Sequence, residues 1–204
     1  KLGAHHLERA ARHALAANAL TQAAEFAERA LAFAGDKPTS FARALILDEA
    51  WARLDARATE RENAIRELQG AVYDTPSEVR AEGARARYED ARGGGPETTD
   101  RLEEVLQRAR NSALIDEEAS CAAALAARCA FAGELSRAEA TCTDLLALAV
   151  KHGIASAAAD AWQTLAVVRQ ARGEVGSALA ARRAAVLAAH QGRLLTREAT
   201  LMIN

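Results

Sequence analysis

At 204 residues with a formal net charge of −2, the chain is half apolar but only 4% aromatic. Charge is balanced along it: residues 1–110 carry 17 basic and 19 acidic side chains, and residues 111–204 carry nine of each. That excludes the basic footprint required for binding a phosphate backbone, and there is almost no strand signal. Roughly a quarter of the residues are Ala, the best helix former, whose small side chain lets helices approach closely, so an all-α protein with thin packed layers is expected. The length suits one or two compact domains, or one elongated array sized by repeat number. No apolar run approaches the length of a membrane span, and no secretory signal is present. The cysteines, Cys121, Cys129 and Cys142, are odd in number and sit in helical context. Reduced thiols and a cytoplasmic location are expected.

In chain order, the spacing predicts a first helix over Ala4 to Ala17, a short polar turn at Asn18, and a second helix over Thr21 to Ala34, stopped by Gly35 and Pro38. Ser40 is the expected N-cap of a third helix that turns Leu45, Ile46, Leu47, Trp51 and Leu54 inward. A fourth, over Thr59 to Tyr73, has Ile65, Leu68, Val72 and Tyr73 as its apolar face. Thr75 reads as a cap and Pro76 as the first-turn proline of a fifth helix that includes Val79, Ala84 and Tyr88. Gly93-Gly94-Gly95-Pro96 is the one real break. A sixth helix places Leu102, Val105 and Leu106 inward.

From Ile115 the pattern is long and regular. A seventh helix runs to Phe131, an eighth to His152, with Gly133 and Gly153 in the turns. The segment Ala155 to Gly192 is a helical hairpin: Trp162, Leu165, Ala166 and Val167 line its first helix, Gly173-Glu174 turns, and Ala178, Leu179, Ala185 and Leu187 recur at helical spacing on its second. Small or apolar residues just inside each second helix fall at Ala23, Ala64, Leu102, Ala138 and Ala178, spaced 41, 38, 36 and 40 apart. Two helices in such a period mark an α-solenoid, because one hairpin cannot bury its apolar stripe alone and neighbours must stack. The hairpins fall at about 4–37, 40–74, 76–111, 113–152 and 154–191, with the start of a sixth at 193–204. Lys1 and the partnerless apolar residues after Gly192 suggest a piece of a longer, multidomain polypeptide.

These residues resemble the tetratricopeptide repeats. Trp162, Leu165, Ala166, Gly173, Ala178 and Ala185 fall on that family's W-x2-L-G, turn and A-x6-A positions, with Ala166 in place of the usual Gly. In the preceding repeat Leu125, Ala126, Gly133 and Ala138 match, while Ala122 replaces the Trp and Leu145 the final Ala. The first three repeats match only in their small residues. The longer period looks like the variant repeats of large bacterial signalling proteins, where they follow a Ser/Thr kinase or a signal-transducing ATPase, and His5-His6-Leu7-Glu8-Arg9-Ala10 resembles the beginning of such regions. The resemblance implies a right-handed superhelical solenoid of antiparallel helix pairs forming one domain. It implies a scaffold and no cofactor.

Catalytic features weigh lightly. Gly93-Gly94-Gly95-Pro96 lacks the Lys-Ser/Thr of a phosphate-cradling loop and reads as an inter-repeat turn. His5, His6 and His13 share a helix without a completing metal ligand, and Cys121 and Cys129 read as packed small hydrophobes. Asp116-Glu117-Glu118 complements a helix dipole, and Trp51 and Trp162 read as core anchors. By register transfer from the family, the concave groove would present His5, Glu8, Arg12, Glu49, Arg53, Arg87, Asp160, Gln163 and Gln170, with Ser120, Ala123, Ala127 and Phe131 in the fourth repeat. The arginines suggest an acidic or extended peptide as ligand. Leu194, Leu195, Leu201 and Met202 suggest self-association through the C-terminal end. The expectation is a non-enzymatic protein-interaction module in a cytoplasmic signalling protein, binding no nucleic acid and no membrane. The alternative is a small-ligand sensor of a signal-transducing ATPase or transcription regulator.

Overall fold

Alanine content and turn residues together dictate what is seen. The computed structural model describes residues 2–33 and 35–192, and there the chain forms ten helices and no strand. They are α1 (Leu2–Ala16), α2 (Leu20–Leu31), α3 (Lys37–Leu54), α4 (Thr59–Gly70), α5 (Thr75–Ala91), α6 (Pro96–Asn111), α7 (Ile115–Phe131), α8 (Leu135–His152), α9 (Ala155–Ala171) and α10 (Val175–Gln191). Consecutive helices pack together, as α1 with α2, α2 with α3, α3 with α4, α7 with α8, α8 with α9 and α9 with α10. Alternate helices also meet: α1 with α3, α3 with α5, and α7 with α9. The chain divides between Thr98 and Thr99 into two compact units. No described helix is long and apolar enough to cross a membrane.

The helix starts differ from the sequence expectation wherever an aspartate competes. Asp36, not Ser40, caps α3 by accepting from the Thr39 backbone N–H at 2.9 Å, and Pro38 lies in the first turn of α3 instead of stopping α2. Asp74, not Thr75, caps α5, in a reciprocal capping box with Ser77. A carboxylate accepts the orphan N–H groups more strongly than a hydroxyl does. α4 ends at Gly70, so Tyr73 is no part of its apolar face; it lies half exposed, its ring 6.0 Å edge-on from Phe41. Leu54 is exposed as well, at the last residue of α3.

Six of the helix ends, those of α1 and α5 to α9, share one geometry. At Asn18, Gly93, Ala113, Gly133, Gly153 and Gly173 the backbone takes a positive φ, between 53° and 85°. The last five are spaced twenty residues apart. After each, the next N–H returns to a carbonyl five residues earlier: Gly94 to Glu89, Leu114 to Ala109, Glu134 to Cys129, Ile154 to Ala149 and Glu174 to Arg169, at 2.9–3.0 Å. This is the Schellman closure, which satisfies the last carbonyls and needs a left-handed residue that Gly supplies without a Cβ penalty. At Ala113, φ is 53° and the penalty stands. The glycine run is structural: a Cβ on Gly94 would lie 2.2 Å from Thr98 Oγ1.

The cores of the two units differ in kind. In the first, Ile46, Leu47, Leu15 and Leu20 pack with alanines of α1 to α4, and Phe41, Ile65, Leu68 and Tyr88 form a second cluster. Trp51 packs against the first of these only partly buried, and its Nε1 is buried without a partner. Charges lie inside: Arg61 Nε donates to Asp48 at 2.8 Å with both side chains 3–4% exposed. Arg43 donates to the carbonyls of Ala30 and Phe33, closing the C-terminal end of α2. In the second unit the buried residues are mostly alanines, with Leu125, Leu145, Leu165 and Val168 and the three cysteines. Ala178 and Ala185 are buried as their spacing suggests, but Leu179 and Leu187 are 52% and 56% exposed and Trp162 is half-buried. Packed helices of alanine leave no room for large side chains at the seam.

Candidate functional site

Between α7 and α9 lies a cleft of about 320 Å³. α7 supplies Ala123, Ala124, Ala127, Ala130 and Phe131, and α9 supplies Asp160, Gln163, Thr164 and Val167. Alanines along one helix face keep the floor low, while the polar residues stand on the opposite wall. The arrangement repeats the chain's own period, since Ala123, Ala124 and Ala127 lie forty positions before Gln163, Thr164 and Val167. Each pair occupies the same register position on its helix. The sequence reasoning placed Ala123, Ala127, Phe131, Asp160 and Gln163 here and missed Ala124, Ala130, Thr164 and Val167 as lining; the forty-residue offset from Ala124 and Ala127 is the signal that finds Thr164 and Val167.

Asp160 is the one ionisable side chain in the lining. Thr164 is nine-tenths buried, and Gln163 beside it is half-buried. Phe131 is 83% exposed at the last position of α7. Among the nearby arginines, Arg128 Nε donates to Thr99 Oγ1 at 2.6 Å, Arg169 to the Ser177 carbonyl at 3.2 Å, and Arg172 to Glu139 at 2.6 Å. The lining therefore combines an apolar floor with one carboxylate, a hydroxyl and an amide.

The other expected groove residues take intramolecular partners. Arg12 is held by Glu8 at 2.7 Å, and Glu8 also accepts from Arg43. Arg53 donates to the Leu15 carbonyl and to Asn18 Oδ1 at 2.6 Å, capping the C-terminal end of α1, and sits 3.8 Å from Glu49. His5 is exposed and Arg87 half-buried on α5. Gln170 accepts from Arg182 at 2.8 Å and does not line the cleft. Leu194, Leu195, Leu201 and Met202 lie outside the described residues.

Nucleophilic and metal chemistry find little support in the geometry. All three thiols are buried; burial pushes Cys142 up to about 12 and raises Cys129 as well. Among the described residues no three His, Cys, Asp or Glu side chains converge as a metal site. A second concavity, about 360 Å³, runs along α10 beside Leu179, Arg182, Arg183, Val186, Leu187 and His190. Compared with known proteins, the chain matches no family model and no curated sequence. The likeness to tetratricopeptide repeats rests on the residues quoted for it and on consecutive helix packing.

Proposed function

We propose that the chain is a non-catalytic interaction module, a tetratricopeptide-like solenoid of antiparallel helix pairs whose odd-numbered helices present a peptide-binding surface. The observation that carries this reading is the cleft between α7 and α9, where amide and hydroxyl side chains stand over an alanine floor. An extended peptide brings backbone N–H and C=O groups that such side chains satisfy, and small floor residues leave room for its side chains. At about 320 Å³ the cleft is at the small end of the roughly 300–1,000 Å³ typical of small-molecule pockets. An exposed Phe131 at its edge also suits a surface groove better than a closed sensor cavity.

The parent in this reading is a cytoplasmic bacterial signalling protein, with this module as its regulatory or scaffolding part and self-association through the C-terminal end as a further contact. Titrating peptides selected on the immobilised chain tests the function. Filling the cleft with Ala127→Trp is expected to abolish their binding. Thermal stabilisation by nucleotides or sugars, with no peptide bound, would replace this reading with the sensor.

A further inference from the structure

We draw no further inference here: the strongest candidate, the apolar face of α10 at Leu179, Val186 and Leu187, with Arg182, Arg183 and His190 beside it, carries nothing because nothing in the structure shows what covers it.

Discussion

The two units solve the same packing problem by different means. Before Thr99, helix register is fixed by buried polar pairs: Arg61 with Asp48, Arg43 on the last carbonyls of α2, and Tyr88 under Arg61 and Arg92 at 5.9 and 5.5 Å. After it, Glu117 is the sole buried charged residue among those described, and register follows from a turn repeated every twenty residues. Large apolar and charged side chains specify partners individually, whereas alanine faces are nearly uniform and would slide without a fixed turn. The difference teaches that an alanine-rich stack takes its order from helix length and from φ at the turns.

The first unit is the place to look for the largest effect. Asp48→Ala leaves the Arg61 guanidinium buried with its ion-pair partner removed and is expected to destabilise that unit by about 3–5 kcal/mol, read by urea unfolding. The double variant Asp48→Met with Arg61→Met should recover most of that loss. An unchanged midpoint for Asp48→Ala would mean the pair does not fix register. In the second unit, Ala126→Leu in the fully buried face of α7 is expected to cost about 1–3 kcal/mol by overpacking. If α7 instead shifts to accommodate it without loss, the seam is looser than close packing implies.

Turn substitutions sharpen the comparison further. Gly173→Ala, at φ 78°, is expected to cost about 1 kcal/mol, and Ala113→Gly to gain about 0.5–1 kcal/mol, because only the latter relieves a Cβ in the left-handed region. Thermal melts of the two variants should move in opposite directions; equal shifts would remove the role assigned to the turns. The last effect is electrostatic and is absent at neutral pH. Cys142 is raised from 9.0 to about 12, so the unfolded chain ionises first as pH rises, and stability should fall between about pH 9 and pH 12, with no contribution below. A Cys142→Ser variant should lose that slope. Thiol labelling at pH 8 should be slow in the folded protein and fast in urea for all three cysteines.

Where local chemistry dominates, the sequence was easy to read. Gly133, Gly153 and Gly173 announced their turns, and Ala178, Ala185, Leu125 and Leu165 are buried as their periodicity required. Ala113 hid the twenty-residue step, since nothing in an alanine signals a positive φ, and the forty-residue count was all that remained visible. Asp36 and Asp74 were passed over as caps in favour of Ser40 and Thr75, because Pro38 was read as the stop of α2 and Thr75 stands directly before Pro76. Of the cleft, Asp160, Gln163, Ala123, Ala127 and Phe131 were within reach of register counting, whereas the partners of Arg12 and Arg53 were not.

Composition and turn residues by themselves determined an all-helical chain of consecutively packed helices, because helix propensity and left-handed turn geometry act within a few residues. Tertiary structure alone decided that Arg43, Asp48 and Arg61 are buried, that Leu179 and Leu187 face outward, and that Arg53 closes a helix end. Those outcomes depend on which side chains from distant positions compete for the same space and the same hydrogen bonds, and periodicity carries no record of that competition.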